Sequence, residues 1–348
     1  MFANLTFEVS DSRRQATSGP HFILGLTCPA GASRSPQTLD SQTPVKRSVA
    51  RNHHYVPQAY LGLFTDTGDK YGQLHVLPTR DKDSFKTTPR NVAAERDFNR
   101  VDVDGYPQDH IESSLAPIEG SAVEAIRAAA QTLTLPTDRG YSYLLNLACL
   151  LFVRNPARRT VINAARERVL RREMLQLVRS PETWGRYLAR VRQHEPELVE
   201  VSFERAKDFI RNERYKIEFV PEGSLRREFK AFDSVLQQFA SRTWSLLVAP
   251  SSGSRFICSD NPISLVPTKT MSRKVTLDTP HTELFMPLTP DLGLVGVFDE
   301  RLPAAIKLTA QAVGVMNRRT AHNAYRYIFS REETFAITNR AGVHEMRI

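Results

Sequence analysis

The hydrophobic periodicity of this chain changes twice, and this change constrains its fold more than any other feature. Between residues 110 and 243, apolar side chains recur every three to five positions, a spacing typical of helices that bury one face. At 51–104 and 244–348, short β-prone runs are separated by Pro, Gly, Ser and Asp turns. The sequence therefore predicts an α+β fold, with a helical middle section flanked by β-rich segments that pack into a mixed or antiparallel sheet.

Most of the chain is predicted to form one domain, residues 49–348. Residues 1–48 are rich in Ser, Thr, Pro and Gly and show little periodicity. Such a segment buries too little apolar surface to offset the entropy of ordering it. We expect a disordered tail here, or a segment translated from an upstream start codon.

Capping residues and β-prone runs predict the individual elements. Asn155 and Ser180 each precede a proline, which places two helix starts. Pro117 and Gly120 are expected to break or kink the helix that contains them. The predicted helices are 110–132, 138–154, the segments beginning at Pro156 and Pro181, 225–242 and 304–317. The predicted strands are 74–77, 98–103, 244–249, 255–258, 274–277, 284–286, 292–298 and 325–329.

Positive charge is concentrated in one part of the helical section. The net charge of the chain is +9, from 47 basic and 38 acidic residues. The segment 154–192 holds eleven arginines and three glutamates, a net charge of +8. Such a cluster attracts phosphates or an acidic partner, and it is equally compatible with a solvated helix face. Arg158 and Arg159 are the residues of this segment that we assign to binding.

The chain is expected to be a cytoplasmic protein without a membrane partner. Its longest apolar run is shorter than the roughly 18 residues that cross a bilayer. Charged residues interrupt the amino terminus, where a signal peptide would need an apolar stretch. The three cysteines are far apart and form no disulfide framework, as expected in a reducing compartment.

Familiar catalytic motifs are absent from the sequence. It contains no Walker A loop, no GxGxxG after a strand, no HExxH, no GxSxG and no zinc-type cysteine spacing. These absences argue against nucleotide-cofactor enzymes, zinc proteases and α/β-hydrolases. They leave open enzymes whose functional residues come from distant parts of the chain.

Several separate motifs agree in order and spacing with one known family. They are Asn52-His53-His54-Tyr55-Val56-Pro57-Gln58, Asn91-Val92-Ala93-Ala94-Glu95-Arg96-Asp97-Phe98, Arg154-Asn155-Pro156 and Phe256-Ile257-Cys258-Ser259-Asp260-Asn261-Pro262. Over about residues 51–330 the chain resembles the bacterial domain-of-unknown-function family 4238. Asn99 and Cys258 depart from the aromatic residue and the Thr expected there. The resemblance implies no reaction, cofactor or substrate, and it directs attention to the motif residues.

The histidine pair is the first candidate. Adjacent side chains on an extended chain point to opposite faces, so one of the two histidines can face a given site. An imidazole transfers protons or binds metals near neutral pH, and we assign His54 to catalysis. The alternative is a structural turn fixed by Pro57. Tyr55 and Gln58, from the same motif, are assigned to binding.

Four carboxylates form the next set of candidates. Glu95 and Asp97 would share one face of a strand, where they could hold Mg²⁺ or Mn²⁺ with water. Glu112 and Glu119 are seven residues apart and would lie on one face of an unbroken helix. We assign Glu95 to catalysis, and Asp97 and Glu119 to the metal. The alternative for all four is a solvated surface.

A turn and a helix junction complete the candidate set. Asp260 and Asn261 lie in a turn after a β-prone run, a common place for functional residues and equally for structural turns. Arg154 follows an apolar helix and needs a carboxylate or phosphate partner if it is buried. Asp260, Glu112 or Glu119 could supply the carboxylate, and a structural ion pair is the alternative to a binding role. We assign Asp260 to catalysis, and Asn261 and Arg154 to binding.

Three functions are compatible with these residues. The first is a metal-assisted hydrolase that cleaves phosphodiester bonds in nucleic acid. The second is a non-catalytic module that binds nucleic acid or an acidic partner through the arginine-rich helices. The third is a small-molecule enzyme or sensor whose basic helices are merely solvated. The first is our preferred hypothesis, because it uses the histidines, the carboxylates and the clustered arginines together.

Overall fold

The computed structural model describes residues 51–80, 82–101, 107–193, 201–272, 275–298, 301–339 and 342–347. The predicted tail, residues 1–48, lies outside these ranges. Within them, a helical middle section is flanked by strands on both sides, which confirms the predicted α+β class. None of the helices in these ranges combines the length and the apolar character needed to cross a membrane.

The elements are numbered in chain order. The helices are α1 (Gln58–Gly62), α2 (His110–Thr132), α3 (Asp138–Val153), α4 (Pro156–Leu177), α5 (Pro181–Arg192), α6 (Phe203–Arg211), α7 (Pro221–Ala240) and α8 (Ala310–Asn323). The strands are β1 (Asn52–His54), β2 (Leu74–Pro78), β3 (Phe85–Thr87), β4 (Ala94–Arg96), β5 (Thr243–Val248), β6 (Cys258–Ser259), β7 (Ser264–Pro267), β8 (Thr282–Thr289), β9 (Leu292–Val297), β10 (Ala305–Lys307), β11 (Tyr327–Ser330), β12 (Thr334–Asn339) and β13 (Gly342–Arg347). A short 3₁₀ helix spans Pro89–Asn91.

Two main sheets carry the fold. One has the order β10-β5-β9-β8-β7 and is antiparallel except for the β10–β5 pair. The other, β3-β2-β11-β6, is antiparallel and joins strands from both ends of the described chain. Two ribbons, β1–β4 and β12–β13, complete the pairing. The sheets are thus mixed and antiparallel, as predicted.

Helix α3 forms the centre of the helical section. It packs against α2 on one side and α7 on the other, and nine of its residues are buried, from Leu144 to Val153. Its sequence is apolar on nearly every face in this stretch, and such a helix is stable only when other elements surround it. Each fully buried Leu or Phe contributes about 2 kcal/mol. The motif residue Arg154 follows directly at its carboxyl end.

Helix α4 differs from α3, because Pro156 is its only buried residue within the described ranges. Val161, Val169 and Leu175 are 64%, 56% and 48% exposed. Toward its carboxyl end, α4 joins α5 and α6 around a small apolar cluster of Val178, Ala206 and Ile210. The rest of α4 therefore presents a mixed arginine and aliphatic face to solvent.

Several predicted boundaries were wrong. Helix α2 continues through Pro117, so the predicted break is not formed. The predicted helix 304–317 is strand β10 followed by α8, because Thr309 caps α8 by accepting a hydrogen bond from the Ala312 N–H. Residues 97–99 form a turn and residues 100–101 belong to no strand, since Asp97 adopts a left-handed φ of 57°. The last two residues of the predicted strand 98–103 lie outside the described residues. Helix α6 was not predicted.

Candidate functional site

The histidine pair lies on β1, whose alternation separates the two rings. His53 is buried, and its Nδ1 accepts a hydrogen bond from the backbone N–H of Asn99 at 2.8 Å. A backbone amide only donates, so Nδ1 carries no proton in this contact. Nδ1 of His53 is therefore the acceptor that fixes the backbone of Asn99. His53, and not His54, is the histidine of the pair that connects to the buried polar groups described next.

Both ring nitrogens of His54 form hydrogen bonds to neighbouring residues of the fold. Its Nε2 donates to the carbonyl of Arg90 at 3.1 Å, and its Nδ1 accepts from the amide of Gln58 at 3.3 Å. Burial lowers the pKa of His54, which also favours the neutral ring. These contacts hold β1 against the 3₁₀ turn and α1. They favour a structural role for His54 and Gln58 over the predicted catalytic and binding roles.

A buried polar group lies between β1, α2 and the end of α3. We call it the Arg154 cluster, and it consists of His53, Asn99, Glu112, Glu119 and Arg154. The Asn99 amide donates to Oε2 of Glu112 at 2.6 Å, and Nη1 of Arg154 lies 3.8 Å from Oε1 of Glu119. Both glutamates interact electrostatically with Arg154, because unbroken helix α2 places them nearly two turns apart.

Arg154 has more hydrogen-bonding capacity than its described neighbours use. Its side chain is 3% exposed, and among the described residues neither Nε nor Nη2 has a partner. Burial lowers the pKa of this guanidinium, while Glu119 and Glu112 oppose that shift. A buried N–H without an acceptor is destabilising and rare in native proteins. The arrangement suits a guanidinium that binds an oxyanion.

Glu119 is the titratable partner in this cluster. Burial raises its pKa to about 7, Glu112 adds to the shift and Arg154 opposes it. The side chain is 19% exposed, so part of it is in contact with solvent. A carboxyl group with a pKa near the working pH is suited to take up and release protons. Glu119 is therefore better placed for general acid–base chemistry than for the predicted role as a metal ligand.

Asp260 lies at the centre of a structural junction. Its two carboxylate oxygens accept the backbone N–H groups of Tyr325 and Arg326, each at 2.8 Å, and the Tyr55 hydroxyl lies 3.4 Å away. The amide of Asn155 donates to the Asp260 carbonyl at 3.0 Å. Burial raises the pKa of Asp260 to about 6, against the effect of the backbone N–H groups.

This junction accounts for three of the predicted site residues. Tyr55 donates its hydroxyl to Asp260, and Asp260 also accepts from the backbone that follows α8. Asn261 exchanges hydrogen bonds with Asn323, since each amide donates to the other's carbonyl. These contacts favour a structural role for Asp260, Tyr55 and Asn261, which tie β1, α4 and β11 together.

Glu95 and Asp97, the two carboxylates predicted to share one face of a strand, form separate ion pairs. Glu95 lies 2.7 Å from Arg326, and Asp97 lies 3.1 Å from Arg51. Asp97 follows the end of β4 with a left-handed backbone, so the shared face predicted for the two acids is not formed. Across the described part of the chain, no three His, Cys, Asp or Glu side chains are grouped to hold a metal ion.

Arg158 and Arg159 lie in different environments at the start of α4. Arg159 forms two hydrogen bonds to the carboxylate of Glu228, at 2.7 and 2.8 Å, and lies over the ring of Phe98. Arg158 lies over Phe152, with 3.5 Å between its guanidinium carbon and the ring centroid. Arg159 is thus a structural ion pair, and Arg158 keeps its charge uncompensated by the described residues.

Three residues of these sites were not proposed from the sequence. They are His53, Asn99 and Glu228. The alternation along β1 could have suggested His53, since one histidine of the pair has to face inward. The sequence marks Asn99 only as a departure from the family pattern. No local pattern signals that Glu228, 69 residues from Arg159, is its partner.

Comparison with known proteins supports the resemblance seen in the motifs. A family model described as "Protein of unknown function (DUF4238)" matches residues 52–334. The match includes every residue of the Arg154 cluster and of the Asp260 junction. No curated protein and no solved structure matches the chain. Any function has therefore to be argued from the site itself.

Proposed function

Because the chain belongs to the DUF4238 family of proteins of unknown function, we propose its activity from its own geometry: hydrolysis of phosphodiester bonds in nucleic acid at the Arg154 cluster. One observation carries this proposal. The buried guanidinium of Arg154, whose Nε and Nη2 have no acceptor among the described residues, lies beside Glu119, a carboxyl group whose pKa is raised to about 7. This combination supplies an oxyanion site and a proton acceptor in one place.

The proposed reaction assigns one step to each group. The N–H groups of Arg154 bind non-bridging phosphate oxygens and stabilise the negative charge of the transition state. Glu119 takes a proton from the attacking water, whose oxygen forms the new bond to phosphorus. The bond to the leaving oxygen breaks, and that oxygen receives a proton from Glu119 or solvent. Asn99 holds Glu112, and His53 holds Asn99, so both are positioning residues.

In the proposed reaction, a divalent cation would bind together with the phosphate of the substrate. Mg²⁺ commonly binds through one or two protein carboxylates, with substrate phosphate and water completing its coordination. With Glu119 acting as the base, Glu112 is the carboxylate that this cluster offers to such a cation. Asp97 is paired with arginines and is no longer proposed as a ligand.

The test is a cleavage assay on labelled single- and double-stranded DNA and RNA, with Mg²⁺, Mn²⁺ or a chelator. Glu119→Gln keeps the size of the side chain and removes its proton-accepting charge. We expect it to lose about 100-fold in rate or more. The matched control is Glu124→Gln, an exposed position on the same helix. Equal cleavage by the wild type and Glu119→Gln would contradict the proposal, as would a wild type that cleaves none of the four substrates.

A second candidate function is nucleic-acid binding without catalysis. The observation that favours it is the exposed face of α4, where Arg168 and Arg172 alternate with aliphatic residues. Basic side chains on such a face can follow a phosphate backbone without any catalytic group. Salt-sensitive retention of the labelled strands, without cleavage, would support this function in place of hydrolysis.

A further inference from the structure

A separate cleft opens between helices α4 and α7. Its volume is about 140 Å³, and its apolar wall includes Phe152, Ile162 and Val235. Arg158 and Ile162 are one helical turn apart on α4, and Arg227 lies two turns before Val235 on α7, so each helix places an arginine and an apolar side chain on the face that lines the cleft. One bound water needs about 10–15 Å³ of such space, so the cleft has room for roughly ten water-sized groups. That is enough for a phosphate group and part of a ring.

The charges around the cleft do not cancel. Three arginines and one carboxylate line it, and the carboxylate of Glu228 is bound on both oxygens by Arg159. The other two arginines of the lining are Arg158 and Arg227. Among the described residues, no carboxylate forms an ion pair with either of them at contact distance, although Glu228 acts on Arg227 at longer range. The cleft therefore carries two uncompensated positive charges next to an apolar wall.

Both of these arginines are held in place by neutral groups. Arg227 donates from Nη2 to Oδ1 of Asn163 at 3.2 Å and to Oγ of Ser224 at 3.0 Å. Arg158 is supported by the face of Phe152. Neutral partners orient a guanidinium without reducing its charge, so both cations are prearranged for an anion.

We propose that this cleft binds the phosphate monoester of a nucleotide, with the phosphate between Arg158 and Arg227 and the adjoining ring against Ile162 and Val235. A monoester carries a charge of about −1.5 to −2 near pH 7, which matches two arginines better than the single charge of a diester does. A cleft of this size admits a strand end or a free nucleotide and excludes a duplex. The inference rests on the proposed function only in naming a nucleotide as the carrier of the phosphate.

The test is a binding measurement in which cleavage plays no part. Glu119→Gln protein would be titrated with fluorescent hexanucleotides that carry a phosphate or a hydroxyl at the 5′ end, and with a second pair that differ at the 3′ end. AMP and inorganic phosphate would serve as competitors. A terminal phosphate is expected to raise affinity about tenfold, through charge-assisted hydrogen bonds to both guanidiniums.

Substitution of the two cleft arginines tests whether the cleft causes the preference for a terminal phosphate. Arg158→Gln and Arg227→Gln should each remove most of it, and Arg168→Gln should retain it, because Arg168 is exposed on α4 and does not line the cleft. Thermal unfolding of each variant checks that the fold is intact. A preference that survives the Arg158→Gln, Arg227→Gln double variant would overturn the assignment.

The competitors identify the source of the monoester. A preference for phosphorylated strand ends supports a site for nucleic-acid termini. Binding of AMP without any preference among the strands supports the same site with a free nucleotide as its ligand. Equal affinity for all strands, with no competition from AMP or phosphate, would overturn the inference. Because no cleavage is measured, that result would leave the hydrolase proposal standing.

Discussion

Nη1 of Arg154 lies 3.8 Å from Oε1 of Glu119, and this is the one ion pair that the described residues give to the buried guanidinium. The distance exceeds that of a charge-assisted hydrogen bond, which is about 2.8 Å. The pair therefore reduces the electrostatic cost of burying Arg154 without satisfying its N–H groups. Such an arrangement is expected where binding a ligand, and not the stability of the free protein, sets the geometry.

Glu119 is expected to lower the stability of the free protein at alkaline pH. Its pKa is about 7 in the folded state and about 4.3 when unfolded, so its stabilising contribution is complete below pH 4 and is lost as pH rises through 7. Glu119→Gln mimics the protonated form. We expect its free energy of unfolding to be about 2–4 kcal/mol higher than that of the wild type at pH 8, and nearly equal at pH 4.

Urea unfolding at both pH values measures this difference. Glu124→Gln, exposed on the same helix, should show no comparable change between the two pH values. A Glu119→Gln variant that is less stable than the wild type at pH 8 would mean that the ionised carboxylate stabilises the fold, and it would remove the argument for a raised pKa.

The same pKa predicts the pH dependence of cleavage. A general base acts only when it is deprotonated, so kcat/KM should rise with unit slope below pH 7 and level off above it. The measurement is a pH–rate profile on the preferred substrate at constant ionic strength. A profile that is flat between pH 5 and pH 8 would exclude Glu119 as the base.

The Arg154 cluster shows how much of the site could be predicted from sequence patterns. The apolar character of α3 indicated a partly buried arginine that needs a carboxylate, with Asp260, Glu112 or Glu119 as its possible partner, and the structure pairs it with Glu119. Pro117 was expected to disturb that spacing, but the helix continues through it. Local periodicity therefore predicted the helices on either side of the cluster and the need of Arg154 for a carboxylate, without deciding which carboxylate it is.

Contacts between distant parts of the chain could not be predicted in this way. Asp260 had the sequence features of a turn residue, which are equally compatible with a functional and a structural role, and its oxygens are occupied by backbone N–H groups from residues 325 and 326. Nothing near position 260 signals a partner more than 60 residues away. For the same reason Glu95 was assigned to catalysis, although the structure pairs it with Arg326.

The two histidines are expected to respond differently to substitution. His54→Ala removes hydrogen bonds to Arg90 and Gln58 and should cost about 1–2 kcal/mol of stability, with cleavage by the folded protein nearly unchanged. His53→Ala removes the acceptor that orients Asn99 and should lower kcat. Thermal unfolding and cleavage rates of both variants provide the comparison. The opposite pattern, with activity lost in folded His54→Ala alone, would restore His54 as the catalytic histidine.

The Asp260 junction is expected to contribute mainly to stability. In Asp260→Asn, one carboxylate oxygen becomes an NH₂ group that faces a backbone N–H, so one buried donor loses its acceptor. The expected loss is about 2–3 kcal/mol. Asp291→Asn removes an exposed ion pair with Arg255 and should cost less than about 1 kcal/mol. Urea unfolding measures both, and equal losses in the two variants would show that the buried contacts have no special weight.

The exposed arginines of α4 are expected to determine the salt dependence of nucleic-acid binding. Each arginine that neutralises a phosphate of a single strand contributes about 0.7 to the slope of log Kd against log salt. Replacing Arg168 and Arg172 by Ala should therefore lower the slope by about 1.4. Arg226, which is exposed on α7 and paired with Glu222, provides the control, since Arg226→Ala should leave the slope unchanged. Fluorescence anisotropy at several salt concentrations measures it. An unchanged slope in the double variant would mean that this face of α4 is only solvated, and that bound strands contact the protein elsewhere.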